Sequence, residues 1–300
     1  MASLFPGLPD DIGRECLLRV RLSSHHNLRC VSKSWNAVLK SPSFYAERKK
    51  LRISEERVCF LQTAGGIRNR ILIYDLEKGS HKILPSIPIE IDGNFHCHCV
   101  KEKLVLISDF ISDDTAGNRV CLYDFVYLKW RECARMPRQM NGFASAVDKL
   151  RGLIYVAGGY DRYLEDSEEF GDPVRSASVY NVEEDKWDDL PDMNVSMKCS
   201  LSMQFIGAFA DGKFCVSARD KGSFQAYYPR KRVWETVWPS NSPSNMLCAF
   251  GFSYIIFNNK VYEMNYSDGG YRLVTSMPEG GNADYINFMI AVNNKIFVCK

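Results

Sequence analysis

Apolar residues at the start of the chain recur at the three- and four-residue steps of amphipathic helices. The first such face follows Pro9, which suits a first helical turn, and Asp10 and Asp11, whose carboxylates suit the positive end of a helix dipole. The second follows Ser23-Ser24, an expected helix cap, and the third follows Ser41-Pro42, which breaks the pattern. The three predicted helical faces comprise Ile12, Cys16, Leu17 and Val20; Leu28, Val31, Trp35 and Val38; and Phe44, Tyr45 and Leu51.

A helical region of about 50 residues has only a marginal core of its own. We therefore expect some of its apolar residues to be covered by a partner or by the following domain. The region is also basic, with eleven lysines and arginines against six acidic residues over residues 1–57. Its basic run from Arg48 to Arg52 is typical of a solvated helix face, and a nuclear-import signal is the alternative.

From Val58 onward, short strand-like runs alternate with turn residues. Pairs of residues recur in these runs with the second member seven residues after the first, and the first members lie 49, 57, 47 and 37 residues apart. A period near 50 predicts small sheets that stack and cover one another. We expect aromatic rings to fill the gaps between sheets, with their polar atoms reaching the edge of a neighbouring sheet. The pairs are Tyr74 and His81, Tyr123 and Trp130, Tyr180 and Trp187, Tyr227 and Trp234, and Met264 and Tyr271.

Both ends of this repeat region are expected to be irregular. The first sheet, which begins at Val58, lacks its innermost strand in this register, and residues 286–299 predict the first two strands of a further sheet. Two outcomes stay open: an incomplete ring, or a C-terminal hairpin that substitutes for the missing strand.

The composition is that of an ordinary globular chain, with 46% hydrophobic and 25% charged residues among 300. A net charge of +2 argues against a nucleic-acid partner that depends on bulk positive charge. No apolar run reaches the roughly 18 residues of a membrane span, and the N-terminus lacks the features of a signal peptide, so no membrane association is expected. The eleven cysteines are therefore predicted to be reduced thiols.

Candidate chemistry is sparse. Phe95-His96-Cys97-His98-Cys99 invites a metal site, but a strand turns His96 and His98 to one face and the two cysteines to the other. A tetrahedral site needs ligands that converge, so neither a metal nor a cofactor is expected. No sequence motif of a hydrolase, a nucleotide-binding loop or a zinc protease occurs, and no catalytic residue is assigned.

A long insertion distinguishes the third repeat. Tyr180 follows Gly159 by 21 residues, whereas Tyr74 follows Gly66 by eight. The inserted stretch, residues 160–176, is acidic. Long loops on a rigid scaffold concentrate binding residues, so the insertion is interpreted either as a loop without function or as a site for a basic protein partner.

Four blocks of sequence stand out at the N-terminus. They are Leu8-Pro9-Asp10-Asp11-Ile12, Cys16-Leu17-Leu18-Arg19-Val20, Leu28-Arg29-Cys30-Val31-Ser32-Lys33-Ser34-Trp35 and Pro42-Ser43-Phe44-Tyr45-Ala46-Glu47-Arg48. The first three resemble an F-box over about residues 7–50, and the fourth is similar to the segment that follows the F-box in plant F-box/kelch proteins. One departure is Arg21-Leu22, where the family often has a proline.

The period, the register and the double glycines Gly65-Gly66 and Gly158-Gly159 resemble the kelch repeat, in which each unit is one four-stranded propeller blade.

The resemblance implies a small all-α F-box domain followed by an all-β kelch-type propeller with about five recognisable blades and a partial sixth. The expected domains are the F-box over residues 1–50, a linker over 51–57 and the propeller over 58–300, which is incomplete at its C-terminus and consistent with a shortened chain. The aromatic columns, with Tyr123 and Trp130 as one example, and the double glycines would then form the structural register of the blades.

The resemblance further implies a substrate-recognition subunit of an SCF-type ubiquitin ligase that is not itself an enzyme and acts in the cytoplasm, the nucleus or both. The F-box would bind a Skp-family adaptor and through it a cullin-RING ligase. The propeller would hold a protein target, by resemblance a phenylpropanoid enzyme or a hormone-response regulator. The residues expected to bind the adaptor are Leu8, Pro9, Ile12, Leu17, Val20, Leu28, Val31 and Trp35.

A target-binding face is expected on loops of the propeller. Two other classes of function stay open, a propeller enzyme such as an oxidase or isomerase and a kelch scaffold that acts without a ligase. An enzyme would need a metal or an acid–base cluster at the propeller axis. The residues expected on the target-binding face are Arg68, Asp109, Tyr160, Arg162, Glu165 and Arg219.

Overall fold

Helices occupy the start of the chain and strands follow them throughout the described residues. In the computed structural model the first strand begins at Arg57, a few residues after the last helix ends at Lys50. The structure describes residues 3–51, 53, 57–64, 67–75, 80–88, 95–100, 102–109, 118–160, 163–164, 169–170, 174–194, 205–218, 224–238, 245–249, 252–257, 260–264, 271–276, 288–292 and 295–299.

The helical region contains one helix more than the periodicity predicts. The predicted second helix is divided at Ser32, which caps a new helix because its hydroxyl accepts a hydrogen bond from the Trp35 amide at 3.1 Å. Leu28 and Trp35 therefore lie on successive helices. The helices are α1 (Asp10–Arg19), α2 (Leu22–Arg29), α3 (Lys33–Lys40) and α4 (Pro42–Lys50).

Two expected helix starts are displaced by one or two residues. Helix α2 begins at Leu22 with Arg21 in the cap position, so Ser23 and Ser24 lie inside its first turn and do not cap it. Pro9 is the cap residue of α1 and precedes its first turn, which holds Asp10 and Asp11 as expected. Those two carboxylates compensate the orphan amides that a cap side chain would otherwise satisfy.

The helices enclose a small apolar core. Leu18, Leu39 and Phe44 are completely buried in it. His25 is also buried, and its two ring nitrogens lie 3.2 Å from the Tyr45 hydroxyl and 3.0 Å from the Val20 carbonyl oxygen. The buried polar atoms of His25 therefore have partners, as a closed core requires.

The strands form a series of separate antiparallel sheets. Within the described ranges, four of these sheets have four strands each, the first has three, the last has two, and an additional hairpin lies within the third. The strands of the first three sheets are β1 (Arg57–Ala64), β2 (Ile67–Asp75), β3 (Ser80–Ile83), β4 (Phe95–Val100), β5 (Lys103–Ser108), β6 (Val120–Asp124), β7 (Lys129–Cys133), β8 (Ala144–Asp148), β9 (Leu153–Ala157), β10 (Tyr163–Leu164), β11 (Glu169–Phe170), β12 (Ala177–Asn181) and β13 (Lys186–Leu190).

The remaining sheets repeat the same up-and-down order. Their strands are β14 (Phe205–Ala210), β15 (Lys213–Ala218), β16 (Phe224–Tyr228), β17 (Val233–Trp238), β18 (Asn245–Ala249), β19 (Phe252–Phe257), β20 (Lys260–Met264), β21 (Tyr271–Ser276), β22 (Phe288–Val292) and β23 (Lys295–Cys299). Neighbouring strands are consecutive in the chain except for β9 and β12, between which the hairpin β10–β11 is inserted.

The seven-residue spacing has a direct structural cause. Its two members are cross-strand partners on the third and fourth strands of a sheet, as Tyr180 and Trp187 or Tyr227 and Trp234 show. A tight turn fixes the distance between them, and its last residue adopts a positive φ at Asp185 and Arg232, each two residues before its tryptophan. The register of the repeat is therefore set by one turn conformation that recurs in successive sheets.

The tryptophans link each sheet to the one before it, as the sequence predicts. The indole nitrogen of Trp130 donates to the Pro85 carbonyl at 2.8 Å, that of Trp187 to Ala134 at 2.9 Å and that of Trp234 to Pro191 at 2.8 Å. Each indole thus packs its ring among apolar residues and satisfies its one polar atom on a neighbouring edge.

The double glycine at Gly158-Gly159 meets a backbone requirement. Both residues have positive φ, +69° and +90°. A Cβ on Gly159 would lie 2.6 Å from the Asn141 carbonyl oxygen, so no larger residue fits without moving the chain. The other double glycine, Gly65-Gly66, lies outside the described residues.

The chain divides into two compact units. The first unit comprises Met1–Ile87 with the segment Tyr123–Trp130, so the first sheet belongs with the helices. The second comprises Pro88–Leu122 and Arg131–Lys300. Its described core consists of two apolar clusters between neighbouring sheets, one around Tyr180 and the other around Tyr227.

Candidate functional site

Apolar side chains are exposed along one face of α1. Ile12 is 48% exposed and Leu8, just before the helix, is 36% exposed. Pro9, Ile12 and Cys16 follow one another at steps of three and four, so they share a helix face, and all three are exposed. We call Leu8, Pro9, Ile12 and Cys16 the α1 stripe. A folded monomer has no internal reason to leave such a face uncovered.

The α1 stripe is held in place by hydrogen bonds at the start of the helix. The Leu8 amide donates to the Phe5 carbonyl at 3.1 Å, and the Leu4 amide donates to the Asp10 carboxylate at 2.8 Å. The core side of the same helix carries Leu17, which is only 1% exposed. One face of α1 therefore fixes the helix while the opposite face stays open.

The structure separates the eight residues expected to bind an adaptor into two groups. Leu8, Pro9 and Ile12 are exposed, and so is Val31 in the turn between α2 and α3, at 61%. The members of the second group are buried or half-buried. Leu17 lies in the helical core, Leu28 and Trp35 pack against it, and Val20 is half-buried at the C-terminal end of α1.

Trp35 shows what the second group does. Its indole nitrogen donates to the Leu4 carbonyl at 2.7 Å, and its ring lies 4.7 Å from that of Phe5. It therefore fastens the segment before α1 to α3. Residues of this group support the exposed face by holding its helices together. Sequence spacing could not separate the two groups, since both follow the same helical period.

One arginine that looks like a surface charge is structural. Arg48 is 4% exposed and donates to the carbonyls of Leu18 and Val20 at the end of α1. The basic run that begins at Arg48 is therefore not a wholly solvated face. Arg48 satisfies carbonyl groups that have no partner within the helix, a role that no charge count reveals.

The histidine-rich strand β4 alternates as expected. His96 and His98 both approach the Ser145 hydroxyl of β8, at 2.8 Å from Nδ1 and Nε2 respectively. Burial, with a smaller effect of His96, lowers the pKa of His98 to about 3, so its imidazole is neutral at physiological pH. Among the residues that the structure describes, no three histidine, cysteine or acidic side chains are arranged to hold a metal ion.

The cysteines of β4 point away from that cluster. Cys97 and Cys99 are solvent-accessible. The protein around Cys97 nevertheless raises the pKa of its thiol, and the neighbouring Cys99 adds to the rise.

Two residues expected on the target-binding face are instead buried. Asp109 is 6% exposed and accepts a hydrogen bond from the Gly142 amide at 2.6 Å. Tyr160 is 5% exposed and packs its ring 5.9 Å from that of Phe205. Both side chains serve packing and hydrogen bonding, because neighbouring sheets cover the loops from which they project.

The other expected target-binding residues cannot be placed in the same way. Arg162, Glu165 and Arg219 lie outside the described residues, and so does the side chain of Arg68. The acidic insertion does contain an ordered element, since Tyr163–Leu164 pairs with Glu169–Phe170 as the hairpin β10–β11.

An acidic residue joins the second and third sheets. The Asp185 carboxylate accepts hydrogen bonds from Arg131 at 2.6 Å, the Ala134 amide at 2.9 Å and the Tyr180 hydroxyl at 2.5 Å. Partial burial opposes ionisation, but the bonds from Tyr180, Ala134 and Arg131 together hold the pKa of Asp185 below its ordinary 3.8. The charged form of Asp185 is thus favoured in the folded protein.

Replacing Asp185 by asparagine is expected to destabilise the protein in a pH-dependent way. Asparagine tolerates the positive φ of this position, so the change removes charge with little backbone strain. Because the folded pKa is lowered, the contribution of Asp185 is complete above the unfolded pKa and is lost as the pH falls through the folded one. Melting temperatures of the parent and Asp185→Asn proteins should differ at pH 7 and converge as the pH falls below 3.8. A difference that is constant over this range would contradict the assignment.

Comparison with known proteins agrees with the helices and the sheets. A family model described as the F-box domain matches residues 5–47, and one described as the Kelch motif matches residues 145–194. These matches cover α1 to α4 and the sheet that contains β8, β9, β12 and β13. The N-terminal helices are therefore an F-box, and the four-stranded antiparallel sheets are consistent with kelch blades.

Curated relatives combine both parts in one chain. The F-box/kelch-repeat protein SKIP30 of Arabidopsis thaliana is 30% identical over 256 residues, which cover 80% of this chain and 68% of that protein. From the same plant, F-box/kelch-repeat protein At1g16250 is 28% identical over 254 residues, or 79% and 63% of the two chains. F-box/kelch-repeat protein At1g80440 is 32% identical over 205 residues, or 63% and 56%. This chain belongs to the F-box/kelch-repeat proteins.

Proposed function

We propose that this protein is the substrate-recognition subunit of an SCF-type ubiquitin ligase. The observation that carries the proposal is the α1 stripe, an exposed apolar helix face within the segment that matches the F-box. The proposed occupant of this face is a Skp-family adaptor. Through the adaptor the protein would join a cullin-RING ligase in the cytoplasm, the nucleus or both.

The proposed mechanism is proximity. The sheets, taken as the blades of one kelch propeller with a partial last blade, would hold a protein target. The adaptor would bring that target close to a charged ubiquitin-conjugating enzyme, which raises the effective concentration of target lysines at the reacting thioester. The protein itself would contribute binding surfaces and no reacting group.

The stripe suits a protein interface on physical grounds. Apolar side chains at the centre of an interface release water when they are covered, and each is worth about 1–3 kcal/mol when fully buried. The flanking residues Asp10, Asp11 and Arg19 are exposed and polar. An apolar centre with a charged rim is the usual composition of a specific interface.

A propeller enzyme is the main alternative, and it would require an accessible acid–base cluster. Among the described residues, Asp109, His96 and Ser145 come nearest to one. His96 Nε2 lies 3.7 Å from the Asp109 carboxylate, beyond hydrogen-bond range, and Ser145 is 9% exposed. The Ser145 hydroxyl is also shared by two imidazoles. This geometry favours a link between two sheets over a nucleophile and its base.

Complex formation with an adaptor tests the proposal. The full chain, coexpressed with a Skp-family adaptor and a cullin, is expected to elute with both in one complex during size-exclusion chromatography. A ligase-independent scaffold or an enzyme has no need of this complex. Elution of the folded chain apart from the adaptor, at concentrations of about 10 μM, would refute the ligase assignment.

A further inference from the structure

A basic cleft lies within the first unit, between the helices and the turn that follows Asp124. Its volume is about 390 Å³, which is within the range of small-molecule sites. The lining residues come from two successive helices and from a segment much later in the chain. They are His26 and Arg29 of α2 with its cap residue Cys30, Asn36 and Lys40 of α3, Tyr127 of the turn and Lys129 at the start of β7.

The cations that line this cleft have no acidic partners in the part of the chain that the structure describes. Among the described residues, no carboxylate lies within ion-pair distance of Arg29, Lys40 or Lys129. Several exposed cations elsewhere in the described structure do have one, as Lys186 does with Asp188 at 2.9 Å. Three cations that line one cleft without a carboxylate among them repel one another, and a bound anion would relieve that repulsion.

Helix dipoles explain only part of this arrangement. Arg29 and Lys40 each occupy the last turn of a helix, where a cation is favourable without any ligand. Lys129 lies on β7 and has no such reason to be there. Because Lys129 lines the same cleft, helix dipoles alone do not explain the three cations, and a binding site does.

The walls of the cleft are fixed in advance. The Arg29 guanidinium donates to the Val126 and Leu39 carbonyls and lies 6.0 Å from the centre of the Tyr127 ring. The turn itself is held by Asp124, whose carboxylate accepts hydrogen bonds from the amides of Val126 at 2.7 Å and Tyr127 at 3.0 Å. Little conformational entropy would therefore be lost when a ligand binds.

The bonding of Arg29 also indicates what kind of anion fits. Both terminal nitrogens of its guanidinium already serve carbonyl groups, so it cannot grip a planar carboxylate with two parallel hydrogen bonds. The Nε of Arg29 has no partner among the described residues but is buried, so the accessible donors are the ammonium groups of Lys40 and Lys129, which act as compact point charges. Such groups suit the many oxygens of phosphate.

We propose that this cleft binds a small soluble anion with two or more phosphate groups. A single negative charge would leave two of the three cations uncompensated, whereas a polyphosphate can neutralise all three within the available volume. Binding would join α2 and α3 to the turn and so stabilise the first unit. The proposal is independent of adaptor binding, because it involves none of the residues of the α1 stripe.

Calorimetric titration of the full-length protein with inorganic tripolyphosphate tests the proposal at about 50 mM salt, where screening is weak. The parent protein is expected to bind one equivalent and to melt at a higher temperature with the anion present. The double variant Lys40→Gln/Lys129→Gln should bind about tenfold more weakly, since it removes two of the three positive charges that line the cleft. Both side chains are on the surface, so the variant should fold normally.

Matched controls separate this site from general attraction to positive charge. The variant Lys33→Gln/Lys149→Gln removes the same charge from two exposed lysines outside the cleft, one of them on α3 as well. It should keep its affinity within about twofold. Equal weakening in both variants, equal binding of sulfate at matched ionic strength, or tighter binding of an oligo-aspartate peptide would each overturn the proposal, the last in favour of a protein partner.

Discussion

Replacing Ile12 by glutamate is expected to abolish binding of a Skp-family adaptor while the protein stays folded. Ile12 lies at the middle of the α1 stripe and is 48% exposed, so its side chain contributes little to the isolated protein. In a complex, the new carboxylate would be buried against apolar groups without a partner. Such a charge costs several kcal/mol, and we expect affinity to fall at least about 100-fold.

A matched substitution controls for added charge. Leu150 is 86% exposed in the turn between β8 and β9, so Leu150→Glu makes a comparable change at an apolar residue outside the helices. It should leave adaptor affinity unchanged. Titration of purified adaptor into each variant, with melting curves recorded in parallel, measures both properties. If Ile12→Glu binds as tightly as Leu150→Glu, the α1 stripe is not the adaptor site.

Substitutions in the helical core should reduce stability as well as adaptor binding. Leu17→Ala removes a side chain that is 1% exposed in the helical core, and it should destabilise the F-box by about 2–5 kcal/mol. Adaptor binding would then fall because the helices melt. The contrast between Ile12 and Leu17, which are five residues apart on one helix, distinguishes contact from support.

The sequence predicts the repeating sheets well because their register is a local property. A seven-residue spacing follows from two strands and one tight turn, so Tyr180 and Trp187 become cross-strand partners wherever that turn forms. The helix count was wrong for an equally local reason. Val31 continues the helical period, but the Ser32 hydroxyl competes for the Trp35 amide and starts a new helix.

Burial could not be predicted where it depends on distant parts of the chain. Asp109 and Tyr160 have the polarity and loop position of surface residues, yet neighbouring sheets cover both. Arg48 belongs to a basic run and still satisfies carbonyls of α1. The basic cleft could not be predicted from the sequence either. Lys40 and Lys129 are far apart in the chain, and they line one cleft only because the turn after β6 lies beside the helices.

Trp234→Ala is expected to be the most destabilising of the tryptophan substitutions. Trp234 is 6% exposed, its ring lies 5.3 Å from that of Tyr227 and 5.9 Å from that of Phe214, and its indole donates to Pro191 of the preceding sheet. Truncation leaves a cavity between two sheets and an unsatisfied carbonyl. Losses of this kind cost about 3–5 kcal/mol.

Two further variants separate the contribution of the buried ring to stability from that of its hydrogen bond. Trp234→Phe keeps most of the buried ring and loses only the N–H donor, so about 1–2 kcal/mol is expected. Trp187 makes the same kind of bond, to Ala134, but is only half-buried, so Trp187→Ala should cost about half as much as Trp234→Ala. Scanning calorimetry, which resolves the melting of separate units, gives all three values. Equal, small losses for Trp187→Ala and Trp234→Ala would mean that the indoles lie on the surface of the sheets and do not join them.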